Sequence, residues 1–271
     1  MCVNFKSIFN EFKSQVAFVL LLIWLLAVWH FRTLNSIVYP LFSVGLMTVL
    51  DLGVTWVRSK KLYWPSASFV TGALIGLIID PSQPLWIIAV AVIAAFISKQ
   101  FINVGIRQNI FNPAAFGIMF VSLVFNLGVA WWAVAWSRLP AVILIIAISR
   151  ILFKMRRLWL PGGFLAVYFI YYFITFGDLN SVVLSLLDGS FLLFALVMLP
   201  EPITSPVVGK FKYFYGASVA LISIGLSRLV LPEIFLPSLL IADLGAFLIR
   251  NFGKRLSKSP EAKSSQNNSE A

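Results

Sequence analysis

Apolar runs of about 20 residues, the length that carries a helix across a hydrocarbon core of roughly 30 Å, recur in this chain from residue 15 to residue 250. A soluble fold needs a polar exterior to cover its core, and this sequence does not supply one. Only 11% of its residues are charged and 60% are hydrophobic, where soluble domains carry about a quarter charged. The runs divide into ten spans: 15–30, 36–57, 66–79, 84–102, 112–136, 139–153, 162–177, 181–199, 212–230 and 235–250. The expected fold class is an all-α polytopic membrane protein of about ten transmembrane helices.

The net charge of +11 does not point to nucleic acid, because the basic residues sit in short clusters between apolar runs, as cytoplasmic loops do. With the N-terminus inside, eighteen Lys and Arg fall on the cytoplasmic side, Lys13, Lys99, Arg107 and Arg157 among them. Only Arg32, Arg138 and Arg228 fall outside. This split places both termini in the cytoplasm of a cell inner, or plasma, membrane. Lys6 and Lys13 before the first run resemble a signal peptide, but Val28-Trp29-His30-Phe31 offers no small-residue cleavage site. The first span therefore reads as retained. From Gly253 the chain turns polar without aromatics, the composition of a disordered tail.

One cysteine, Cys2, and one histidine, His30, exclude an intrachain disulfide, a Cys-ligated cluster and a bis-histidine haem. No metal site is expected, and His30 beside Trp29 reads as an interfacial residue.

Two short segments end in an acid next to proline. Ser68-Phe69 leads to Asp80-Pro81, and Ser190-Phe191 leads to Pro200-Glu201-Pro202, the serines 122 and the acids 121 residues apart. Pro113 and Pro237 echo this at an offset of 124. The chain thus reads as a duplication. A first repeat of five spans covers 15–136 and a second covers 137–252, flanked by a cytoplasmic segment 1–14 and the tail 253–271. An odd number of spans inverts the second copy, and inverted repeats place their site where discontinuous helices meet near the midplane. Proline accounts for the breaks, since it lacks a backbone donor and restricts its predecessor.

Charged groups at membrane depth are costly and face protein or water. Asp51 and Asp243 lie about two turns from the inner ends of their spans, and with Asp80 and Glu201 they form a candidate ion or proton pathway. The alternative for each is a carboxylate satisfied by a neighbouring helix or the interface. Asp188 in Asp-Gly-Ser reads as a helix cap. Between the fourth and fifth spans, Lys99, Arg107, Asn109 and Asn112 concentrate amides and cations. Asn112-Pro113 starts a helix, whose positive end with Arg107 suits an anion such as a phosphate; the alternative is a well-capped loop facing the cytosol.

At these residues the chain resembles the RnfD/NqrB family of membrane subunits. Three stretches carry the resemblance: Ser66–Gly72 running on to Asp80-Pro81, Lys99 through Ala115, and Gly189 through Pro206 followed by Tyr215-Gly216. The resemblance implies ten helices in two inverted five-helix repeats and a role in electron transport coupled to sodium or proton translocation. It also implies other membrane subunits and a flavin-carrying protein as partners. Many relatives carry FMN on the threonine of a Ser-Gly-Ala-Thr motif between the fifth and sixth helices. This chain has no such motif. Its turn there holds only Ser137-Arg138, and Thr175 and Ser181 are poor substitutes. Covalent FMN is therefore not expected. FMN or riboflavin is expected either noncovalently, against Lys99, Arg107, Asn109 and Asn112, or on a partner. An ion or solute channel without redox chemistry, and a scaffold that docks flavoproteins, stand as alternatives.

Overall fold

A computed structural model describes residues 11–60, 64–103, 109–205, 211–229 and 231–250. Among these, the secondary structure is helical apart from one isolated antiparallel bridge, Asn103 to Asn109. Helix α1 spans Phe12–Phe31 and α2 spans Leu34–Ser59. They are followed by α3 at Ser66–Ile78, α4 at Leu85–Phe101 and α5 at Pro113–Phe125. Helix α6 starts at Arg138–Ile143, widens into a π-turn at Leu144–Ile148 and resumes at Ser149–Lys154. Then come α7, Trp159–Phe176, and α8, Leu179–Leu186. Helix α9, Gly189–Leu193, runs on into a second π-turn at Phe194–Met198. Helix α10 spans Phe211–Leu226 and α11 covers residues 235–250.

Three of the described helices, α1, α2 and α7, are long and apolar enough to cross a membrane, and α8 with α9 adds a fourth if the pair is one span bent by 57°. Large apolar side chains lie on the surface as well as in the core, and several polar groups are buried. Phe18, Leu25, Val49, Ile146, Ile174 and Leu221 are exposed, while Ser43, Asp51, Ser68, Ser98, Asn112 and Asp243 are buried. Such a surface is stable in lipid, where apolar exposure carries no penalty and every polar group needs an internal partner.

Small residues allow the close approaches. A Cβ on Gly76 would lie 2.5 Å from Pro40 Cα, and one on Gly72 would lie 2.7 Å from Val44 Cα. The four-residue spacing of the two glycines thus lays α3 directly on α2, the close packing that small residues permit between membrane helices. Ser43 then donates to Gly72 O at 2.8 Å. In the second half an aromatic cluster does the packing: Phe164 lies 5.2 Å from Phe191, and Phe194 lies 5.2 Å from Phe235.

The expected span 112–136 is corrected. Its helix stops at Phe125, where Asn126 turns left-handed at φ 50°, and the apolar run beyond folds back as irregular chain. Hydropathy cannot tell that run from helix, because Trp131, Trp132, Ala133 and Val134 are all buried. Its donors meet the open end of α3. Trp131 N–H reaches Ile78 O at 3.0 Å, Ala133 N–H reaches Leu77 O at 3.3 Å, and the Trp132 indole reaches Gly76 O at 3.0 Å. The expected eighth span begins earlier than 181: Ser181 lies inside α8, which starts at Leu179 and is capped by Asp178 at 2.9 Å from Ser181 N. The Ser181 backbone N–H, its hydroxyl and the Asn180 N–H hold the Asp178 carboxyl below its ordinary value. The expected eighth span 181–199 breaks at Leu187-Asp188, where Asp188 caps α9 by accepting from Phe191 N–H at 3.0 Å. His30 stacks on Trp136 with ring centres 4.2 Å apart.

Candidate functional site

Helices α2, α3 and α4 converge on Asp51, which is 1% exposed. Lys99 Nζ lies 2.8 Å from its carboxylate, Ser68 donates to it, and Gln100 Nε2 donates at 3.1 Å. Lys99 and Gln100 are consecutive, so their side chains leave α4 about 100° apart and grip the carboxylate from two sides. The Gln100 orientation is imposed from behind. Arg58 only donates and bonds Gln100 Oε1 at 3.0 Å, which turns the amide NH₂ toward Asp51. Asn103 bonds the Lys99 and Gln100 carbonyls at 3.2 and 2.9 Å, closing the end of α4.

A second carboxylate, Asp243 on α11, is also 1% exposed. It accepts from the Tyr215 hydroxyl at 2.5 Å and from Asn112 N–H at 3.0 Å. Among the described residues these partners are neutral donors, unlike the ammonium on Asp51. Asn112 is the hub. Its Oδ1 caps α5 through Ala115 N–H at 3.2 Å, and its Nδ2 bonds Met198 O, at the end of the second π-turn, at 3.2 Å. At the start of α5, the carboxylate that meets the Asn112 N–H is the chain's own Asp243.

Glu201 lies between these two groups. The segment that carries it is held by Arg157, which bonds Pro200 O at 3.2 Å, Ser205 Oγ at 2.7 Å and Pro202 O at 3.4 Å. Ser205 returns a hydrogen bond to Glu201 O at 2.6 Å. The Glu201 carboxyl is within electrostatic reach of Lys13, Lys99 and Arg157. It faces a cavity of about 30 Å³ shared with Lys13, Thr71 and Asn112.

Of the residues put forward from sequence, Asp51 and Lys99 meet directly, and Asn112 and Asp243 meet directly. Glu201 shares the cavity with Asn112. Asp80 is not brought to them: it accepts from Ser82 N–H at 2.8 Å and shapes the Pro81–Gln83 turn, which Asn35 holds through Pro81 O at 2.9 Å. Asn109 is buried at the bridge to Asn103. Arg107 lies outside the described residues. No group of three or more His, Cys, Asp or Glu among the described residues is arranged to hold a metal. Sequence reasoning assigned no site role to Lys13, Ser68, Gln100, Arg157 or Tyr215. Lys13 and Arg157 counted only as inner-loop charges, and nothing local marks Tyr215 as the partner of a residue 28 positions away.

The profile of the NQR2, RnfD, RnfE family matches residues 5–137. The chain is also similar to the D subunit of the ion-translocating oxidoreductase complex of Buchnera aphidicola subsp. Acyrthosiphon pisum (strain 5A). That match is 29% identical over 121 residues, covering 42% of this chain and 35% of the relative. The protein of the same name from Actinobacillus succinogenes is 28% identical over 93 residues, covering 33% of this chain and 26% of the relative. The one from Vibrio cholerae serotype O1 (strain ATCC 39541 / Classical Ogawa 395 / O395) is 23% identical over 111 residues, covering 40% and 32%. The chain thus spans about a third of the length of the relatives it matches. The family match contains the Asp51 group and Asn112, and ends just before α6. The stretch from Gly189 to Pro206 lies beyond it.

Proposed function

We propose, from the match of residues 5–137 to the NQR2, RnfD, RnfE family, that the chain is a member of that family and a membrane subunit of an Rnf-like electron-transport complex. In this reading its buried carboxylates form the ion or proton path that redox chemistry drives. The observation that carries the reading is Asp243: a buried carboxylate met by a hydroxyl and a backbone N–H, not by a cation, can take up a proton or a small cation and release it again. Asp51, bonded to Lys99, is the fixed counterpart.

The architecture proposed for this role is ten spans in two inverted five-helix repeats, α1–α5 and α6–α11, with α8 and α9 as one bent span. The ends of the two broken segments support it. Each leaves helix carbonyls without intrahelical donors, and each receives a side-chain donor there: Trp132 at Gly76 O and Asn112 at Met198 O. The two carbonyls are 122 residues apart, the same offset as Ser68 and Ser190.

Flavin enters as a group carried by a partner protein. Supporting this, Lys99 is engaged with Asp51 and the Asn112 amide with Met198 O. Co-expression with a flavin transferase should leave the denatured chain without in-gel flavin fluorescence.

The test of the ion path uses membrane vesicles containing the assembled complex, with electron transfer and cation uptake measured together. Asp243→Asn keeps the size of the side chain but removes the titratable group. Uptake per electron should fall severalfold while the abundance of the chain is unchanged. Wild-type uptake from this variant would remove Asp243 from the path.

A further inference from the structure

Four elements give the cavity between the two halves of the site its polar lining. Helix α1 presents Lys13, α3 presents Thr71, the start of α5 presents Asn112, and the segment after the second break presents Glu201. Among the described residues, neither the Lys13 ammonium nor the Glu201 carboxylate makes a direct hydrogen bond or ion pair; the two face each other across about 30 Å³ of space. The other nearby cations are committed elsewhere. Lys99 bonds Asp51 and Ser68, and Arg157 spends its donors on Pro200 O, Pro202 O and Ser205. A carboxylate in low-dielectric surroundings needs a proton or a cation, and the charge that faces Glu201 across the cavity belongs to Lys13.

We propose that Lys13 is a tethered cation, its ammonium holding the place beside Glu201 that a free monovalent cation would otherwise take. The cavity chemistry fits that class of ligand. Three of its polar lining residues, Glu201, Asn112 and Thr71, carry oxygen donors, and the Thr71 hydroxyl, whose hydrogen goes to Ala67 O at 3.0 Å, keeps oxygen lone pairs to offer. Oxygen donors suit hard cations such as sodium. The volume accommodates one or two water-sized particles, so a sodium ion and the lysine head compete for it. Lysine suits a displaceable role, since its charge is a point at the end of a flexible four-carbon stem and can withdraw toward the inner interface. Arg157, fixed from behind by three hydrogen bonds, cannot move in that way.

This deepens the ion-coupling reading above and rests on it for its physiological meaning, but the test is an equilibrium one on the purified protein without electron flow. Thermal unfolding is compared in sodium chloride and choline chloride at equal ionic strength. Wild type should show no sodium-specific shift. Lys13→Ala, and Lys13→Met, which keeps most of the stem volume, should each gain a sodium-specific rise of about 2–4 °C, the size expected for a ligand bound only by the folded state. Adding Glu201→Gln to Lys13→Met should abolish that rise. A sodium response in both Lys13 variants no greater than that of wild type, or one that survives in the double variant, would overturn the proposal. A sodium response confined to the Lys13 variants, together with unaltered redox-driven uptake in Asp243→Asn vesicles, would uphold the tethered cation and sink the Asp243 path alone.

Discussion

Asp51 and Asp243 are buried to the same extent but are satisfied differently, and the difference sets what each can do. Asp51 has an ammonium at 2.8 Å with a hydroxyl and an amide, so its charge is locked. Removing the cation by Lys99→Met should destabilise the protein by about 3 kcal/mol, in the range for breaking a buried pair from one side. Replacing both partners, Asp51→Asn with Lys99→Met, should recover most of that loss, because no net charge is then left in the interior. Thermal unfolding of the two variants in detergent checks this, and equal losses in both would show that the pair is not acting as a pair. The two aspartates could be singled out from the chain because a charge inside an apolar run has few explanations. Their partners could not. Lys99 and Asp51 are 48 positions apart and Asn112 and Asp243 are 131 apart. Which side chain meets which depends on helix rotation and tilt, quantities that no local spacing encodes.

At the scale of elements, the breaks matter through the carbonyls they expose. The end of α3 is served by the returning segment 130–133, with the Trp132 indole on Gly76 O and backbone donors on Leu77 O and Ile78 O. Trp132→Phe keeps the aromatic packing but leaves a buried carbonyl one donor short, which costs about 1–3 kcal/mol. Hydrogen exchange should then show faster opening at Leu77 and Ile78 than in α1. Unchanged protection there would mean that the backbone donors suffice alone. The returning segment was also where hydropathy misread the chain. Val129 to Trp136 is as apolar as a span, but the Ala130, Trp131 and Ala133 N–H groups go to open carbonyls on α3, while those of Val134 and Ala135 bond back to Trp131 O. The Asp188 cap, in contrast, was readable from Asp-Gly-Ser, because capping is decided within three residues.

For the whole molecule, the proposed orientation makes a direct prediction about access. In a background with Cys2 replaced, single cysteines at Gln83 and Asn180 should react from outside intact cells with a membrane-impermeant thiol reagent. One at Ser257 should not. Labelling at Ser257 would remove the arrangement with both ends inside. The same orientation puts the Asp51, Glu201 and Asp243 groups toward the inner side, where Lys13 and Arg157 also lie, and sets the Asp80 turn at the opposite end.

What this chain determined by sequence alone is its solvent and its order of elements: apolar runs of spanning length, breaks at prolines, charges gathered between runs, and the resemblance that residues 5–137 bear out. These are readable because hydropathy, proline stereochemistry and capping act within one turn or one span of the residues that cause them. Only the tertiary structure decided that the fifth helix stops at Phe125, and that the anion at its start, beside Asn112, is Asp243. It alone set Lys13 opposite Glu201 across one cavity. Each of these is a meeting of groups far apart in the chain, made where lipid offers no partner and the interior must supply one.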